Sequence, residues 1–124
     1  MTSVAQLNDI LILNKYVIIK YSAEICKPCK EIMPEYEKLK EEYSNHPNHL
    51  AECVKFVEID YKTMSKELIN DEIFGIKKIP NIKTFIEGTK VCDVIGLEAV
   101  KKTRECLEFE SHPFSKYRNE KDSE

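Results

Sequence analysis

Cys26-Lys27-Pro28-Cys29 sets two thiols three residues apart, between an apolar run at Tyr16-Val17-Ile18-Ile19 and a helix-forming stretch from Lys30 to Tyr43. Thiols so spaced at the start of a helix sit close enough to join as a disulfide. The free N–H groups and positive dipole of that helix end favour a thiolate at the first position. Strand, C-x-x-C and helix, in that order, read as a redox pair. The rival chemistry is zinc, which needs a second ligand pair. The sequence offers only His46, His49 and Cys53, whose spacing fits no common zinc signature, so that segment is expected to be a solvated loop.

The elements that must position these thiols alternate in period. Ser3 to Gln6 has the look of a short strand. Leu7, Ile10 and Leu11 follow at helical spacing. Tyr16 to Ser22 is apolar on both faces, as in a buried central strand. Cys29 to Ser44 forms a helix with Ile32, Tyr36, Leu39 and Tyr43 on one face, and Pro34 removes one hydrogen bond inside it. Val54 to Ile59 is a second strand. Met64 to Phe74 reads as a helix that stops at Gly75. Ile82 to Ile86 and Lys90 to Ile95 read as a hairpin turned by Glu87-Gly88-Thr89. Leu97 to Phe109 is a last helix, with Val100, Thr103, Cys106 and Leu107 inward. The order is β-α-β-α-β-α-β-β-α. It implies an α/β fold: parallel strands with helical crossovers, an antiparallel hairpin at the edge, and helices on both faces of one mixed sheet. Residues 1–109 form the expected domain, and 110–124 a charged, loose tail.

At 124 residues the chain suits one domain, and a formal charge of −3 argues against general nucleic-acid binding. Five cysteines is an odd, modest count, unlike that of a disulfide-stapled secreted domain. Ile10-Leu11-Ile12-Leu13 is far too short for a signal peptide or a membrane span. A reducing, cytoplasmic setting is expected, with no membrane partner. Cys92 and Cys106 are expected as free thiols acting as small buried apolar groups. Cys53 is a candidate exposed regulatory or dimer-forming thiol. Tyr61, Lys62 and Glu41-Glu42 read as surface.

From Leu7 to Phe109 the chain resembles the thioredoxin family. The resemblance rests on Ala23-Glu24 before Cys26, Lys30 after Cys29, Pro34 five residues on, and Tyr43 closing the helix. It continues through Ile59-Asp60, Gly75-Ile76, Ile79-Pro80, Glu87-Gly88 and Gly96. It implies a thioredoxin fold and a protein-disulfide oxidoreductase. Cys26 would be the exposed attacking thiol and Cys29 the buried resolving thiol. Pro28 would preset the first helical turn. Pro80 would be a cis-proline facing the cysteines, leaving the Ile79 backbone free to pair with a substrate strand beside Gly96. The resemblance implies protein disulfides as substrates, a thioredoxin-reductase-type electron donor, a monomer, and no cofactor or metal beyond the Cys26–Cys29 disulfide.

Four positions depart from the family's pattern. Ile25 and Lys27 stand where the family usually has Trp and Gly, and the chain has no Trp. A cation at Lys27 favours the Cys26 thiolate, which stabilises the reduced form and makes the couple a stronger oxidant. Lys20 stands where the family has a buried Asp, and Phe56 replaces its lysine on the neighbouring strand. Burial disfavours a charged lysine. Lys20 is therefore expected to serve as base for Cys29 or as a cation for its thiolate, with Glu58 as partner, unless it snorkels to solvent. These losses keep a second function class in view: a redox-inert binding module using the groove beside Pro80. Both cysteines, Pro28, Pro34 and Pro80 favour the oxidoreductase.

Overall fold

The computed structural model describes residues 2–44 and 54–109. The loop at 45–49, His46, His49, Cys53 and the expected tail at 110–124 lie outside the described residues. The chain runs α1 (Val4–Leu13), β1 (Tyr16–Ser22), α2 (Lys27–Ser44), β2 (Val54–Asp60), a 3-10 turn (Tyr61–Thr63), α3 (Lys66–Ile69), β3 (Asn81–Ile86), β4 (Thr89–Ile95) and α4 (Ala99–Phe109).

The expected strand at Ser3–Gln6 is the start of α1 instead. Ser3 Oγ accepts the Gln6 N–H at 3.2 Å, and Gln6 Oε1 accepts the Ser3 N–H at 2.8 Å. This reciprocal cap satisfies two backbone donors that a free helix end leaves open, so the helix begins one residue after Ser3.

β1 organises both cores, as its doubly apolar pattern implies. Val17, Ile19 and Tyr21 pack on one side with Leu7, Leu68, Phe74 and Phe85. Ile18 packs on the other with Ile32, Tyr36, Leu39 and Tyr43 of α2 and with Val100 and Leu107 of α4. Each fully buried residue of this kind contributes about 1.5–3 kcal/mol. The sheet order is β2-β1-β3-β4. β1 and β2 are parallel, while β1–β3 and β3–β4 are antiparallel.

The parallel part is therefore smaller than expected, and α3 is the reason. It covers Lys66–Ile69 and not the expected Met64–Phe74. One turn spans about 6 Å, too short to carry the chain along a strand and back as a crossover. Asp71 Oδ2 accepts the N–H groups of Ile73 and Phe74, which turns the chain just after α3. Gly75 then donates to the Asp71 carbonyl at 2.9 Å. The chain re-enters the sheet at the end from which β2 left, so β3 runs antiparallel to β1. Glu87 (φ 50) and Gly88 (φ 84) form the two-residue hairpin loop, both in the left-handed region that such turns require.

This topology gathers four loops at one edge of the sheet. Ser22 pairs with Asp60, Tyr21 with Asn81, and Asn81 with Ile95. The segments 23–26, 61–65, 76–80 and 96–98 therefore meet there.

A Cβ at Gly75 would lie 2.3 Å from the Asp71 carbonyl oxygen and 2.4 Å from that of Ile69. Gly75→Ala is expected to lower stability by about 1–3 kcal/mol in urea unfolding, with little change in the slope of the transition.

Candidate active site

Cys26 and Cys29 are joined as a disulfide with a Cα–Cα distance of 5.2 Å. Cys26 precedes the first residue of α2, and its Sγ accepts the Cys29 N–H at 3.2 Å. The sulfur thus occupies the place of a helix-capping oxygen. Lys30 N–H closes the first turn onto the Cys26 carbonyl at 3.2 Å. Cys26 is partly exposed, whereas Cys29 is only 4% exposed. Lys27 and Pro28 are the first two helical residues and both face solvent. Ile25, next to the cap, is 84% exposed.

The Ile79–Pro80 peptide is cis. Gly96 donates its N–H to the Pro80 carbonyl at 2.9 Å, from a backbone at φ 96 that favours glycine. A cleft of about 140 Å³ lies beside Ile79, lined also by Tyr61, Ile76, Lys77 and Lys78. Tyr61, expected at the surface, is 44% exposed and forms one side of this cleft.

Lys20 does not snorkel: it is 1% exposed. Its Nζ lies 3.0 Å from Glu58 Oε1 and 4.3 Å from the centre of the Tyr36 ring. Glu58 is opposite Lys20 in the β1–β2 register. Lys40 of α2 reaches the other Glu58 oxygen at 3.3 Å. Burial alone would raise the Glu58 pKa, but hydrogen bonds and charge from Lys20 and Lys40 outweigh it and hold the carboxyl below its ordinary value. Tyr36 moves the other way, raised by burial first and by the Glu58 and Glu37 charges next.

Known proteins are similar to this chain over most of its length. The Thioredoxin family matches residues 2–108. The chloroplastic thioredoxin F-type of Spinacia oleracea is 34% identical over 73% of this chain and 46% of its own length. Thioredoxin 1 of Plasmodium falciparum is 30% identical over 77% of this chain and 81% of its own. A solved Plasmodium falciparum thioredoxin superposes with a TM-score of 0.64 at 28% identity, covering 85% of this chain and 94% of that one.

The chain belongs to the thioredoxin family. It is a thiol–disulfide oxidoreductase whose redox pair is Cys26–Cys29. The chain spans about half the length of the spinach relative.

Two features of this thioredoxin lie outside what its sequence suggested. Cys92 and Cys106, expected as free thiols, are joined as a disulfide with a Cα–Cα distance of 6.3 Å. The expectation failed because pairing depends on how α4 lies across β4, which spacing along the chain does not show. On the other face of the sheet from Lys20, Lys83 is also buried. Its Nζ meets Asp93 Oδ2 at 2.9 Å, with Lys90 on the same oxygen at 3.0 Å. Asn81 donates to Asp93 Oδ1 at 2.8 Å. Burial raises Asp93, yet these donors together hold its carboxyl below the usual range. Among the described residues no group of three or more His, Cys, Asp or Glu could hold a metal ion, and no helix is long and apolar enough to cross a membrane.

Glu58→Gln leaves the Lys20 ammonium buried with a neutral partner. The expected loss at pH 7 is about 1–2 kcal/mol, reduced by the partial exposure of Glu58. The folded pKa of Glu58 is depressed, so its contribution is present above the unfolded value, about pH 4.3, and is lost as pH falls through the folded one. Thermal melts across pH should show the two proteins converging below about pH 4.

Proposed function

We propose that this chain reduces or exchanges disulfides in protein substrates, with Cys26 as attacking thiol and Cys29 as resolving thiol. The asymmetry of the pair carries the reading. Cys26 is partly exposed and its Sγ accepts a backbone N–H at a helix N-terminus, while Cys29 is buried. In the reduced protein the helix end favours a thiolate on Cys26. That thiolate attacks one sulfur of a substrate disulfide and releases the other substrate sulfur as a thiolate. Cys29 then loses its proton and attacks Cys26 Sγ. The Cys26–Cys29 bond forms, the mixed disulfide breaks, and the second substrate sulfur leaves. Two electrons pass from the dithiol to the substrate. A thioredoxin-reductase-type donor resets the pair.

The neighbours have parts to play. Pro80 has no N–H, so a substrate strand approaching it pairs with the Ile79 backbone beside Gly96. Ile25 offers an exposed apolar contact next to the reacting sulfur. Pro28 sets the first turn of α2. Lys27 is a cation one residue from Cys26 and makes the couple more oxidising. Lys20, buried on the α2 side of the sheet against Glu58 and the Tyr36 ring, serves Cys29 as a base or as a cation for its thiolate. The chain works as a monomer in a reducing, cytoplasmic setting, and residues 1–109 carry the activity without a cofactor.

Cys26→Ser should abolish insulin reduction driven by dithiothreitol, and equal rates for variant and parent would end the oxidoreductase account. Cys29→Ser should accumulate a mixed disulfide through Cys26, visible by mass spectrometry. An exposed charge is worth up to about 1 kcal/mol, so Lys27→Gly should make the reduction potential about 10–20 mV more negative in a glutathione titration. Lys20→Met should raise the Cys29 thiol pKa and slow turnover. Unchanged values would leave Lys20 only a structural part.

A further inference from the structure

Cys92 lies in β4, the edge strand of the sheet, and is almost buried. Cys106 lies in α4 and is partly exposed. Their Cα separation of 6.3 Å falls within the disulfide range, and they are bonded. The two bonded pairs account for four of the five cysteines and leave Cys53 as the odd one. As at Cys26 and Cys29, one residue of the pair is partly exposed and its partner is buried.

The position of the staple matters. The closed loop runs from Cys92 to Cys106 and contains Ile95, Gly96 and Leu97. Gly96 is the residue whose N–H holds the Pro80 carbonyl. Ile95 and Leu97 are large exposed apolar side chains, 46% and 57% exposed, on either side of it. Ile95 is the register partner of Asn81, directly after Pro80. The short connection that holds the Pro80 carbonyl thus has its two flanking elements tied to each other by Cys92–Cys106.

We propose that Cys92 and Cys106 are a second dithiol–disulfide couple, separate from Cys26–Cys29, that ties α4 to β4 and stiffens the Ile95–Leu97 connection held to Pro80, beside which a substrate strand binds. Closure uses a low-molecular-weight disulfide such as oxidised glutathione. The Cys106 thiolate attacks one glutathione sulfur, forming a mixed disulfide and releasing one glutathione thiolate. The Cys92 thiolate then attacks Cys106 Sγ and releases the second. Two protein thiols are oxidised and one glutathione disulfide becomes two thiols. Excess reduced glutathione runs the same steps backwards, entering at the partly exposed Cys106. The second couple stands on its own geometry; its effect on the groove rests on the oxidoreductase reading.

The test takes the full chain carrying Cys26→Ser and Cys29→Ser, equilibrated in buffers of increasing oxidised-to-reduced glutathione. Free thiols are blocked with N-ethylmaleimide and the peptides are mapped by mass spectrometry. Cys92 and Cys106 should lose the label together and appear as one cross-linked peptide, while Cys53 does not join them. Label on both at every ratio, or glutathione left on Cys106 without a cross-link, overturns the second couple. Closing a loop of this length should raise the melting temperature of the oxidised form over the reduced form by about 10 °C. Adding Cys106→Ser should remove that difference. Cys92→Ala, which keeps a small apolar group at the buried position, should remove it too. A difference that survives both variants also overturns the proposal.

The groove effect is read in chains with the Cys26–Cys29 pair intact and oxidised. A dithiol peptide opens that disulfide, and the reaction is stopped with acid and mapped. With Cys106→Ser the half-saturating peptide concentration should rise about threefold at an unchanged limiting rate, as expected when a loop must be ordered on binding. No change overturns the groove effect and leaves the couple standing. A parent chain that exchanges with no dithiol peptide overturns the oxidoreductase reading instead, while the glutathione mapping is unaffected.

Discussion

The mouth of α2 depends on one bond, from the Cys29 N–H to Cys26 Sγ. A helix leaves its first N–H groups without partners, and here a sulfur takes one of them. The same atom belongs to the partly exposed residue of the redox pair. The structural need of the helix and the chemical need of the site are met by one contact: a sulfur carrying more negative charge is a better cap, and a better cap favours the thiolate. That arrangement holds only if α2 starts where it does, which places the demand on β1.

β1 meets that demand by being buried on both faces. Its alternate residues hold α1 and α3 on one side and α2 and α4 on the other. Lys20 is the exception in this apolar strand. A lone ammonium there would be expensive to bury, so the strand keeps it only with a carboxylate at 3.0 Å and an aromatic face at 4.3 Å. Glu58 bridges Lys20 and Lys40 and so links β1, β2 and α2. The sheet's other face repeats the device, with Lys83 held by Asp93 and packed near Tyr21. Two buried lysines on opposite faces of one sheet are tolerated because each is matched by a carboxylate that keeps contact with water.

The cleft beside Ile79 and the Gly96–Pro80 contact are assembled from loops that the sheet collects and that helix α2 does not touch in sequence. Pro80 comes from the segment before β3, Gly96 from the turn after β4, and Tyr61 from the turn after β2. They meet because β3 enters the sheet at the end where β1 and β2 leave. The short α3 and the tight turn at Gly75 make that entry. A longer helix there, as its apolar spacing suggested, would have delivered the chain to the wrong end.

What the sequence settled by itself was local. The C-x-x-C pair, the inward face of α2, the doubly buried β1, the hairpin at Glu87-Gly88 and the inward face of α4 follow from periodicity and turn chemistry within a few residues. The cap at Ser3 was equally local and was legible in Ser-x-x-Gln, though the expectation of a strand passed over it. The tertiary structure decided what depends on register between distant segments. Lys20 faces Glu58 because β1 and β2 align at that step. Lys83 meets Asp93 because β3 and β4 do. Cys92 meets Cys106 because α4 folds back over the edge strand. Side-chain direction can be read along a chain from its period, but which two segments lie side by side is set by the packing of the whole core.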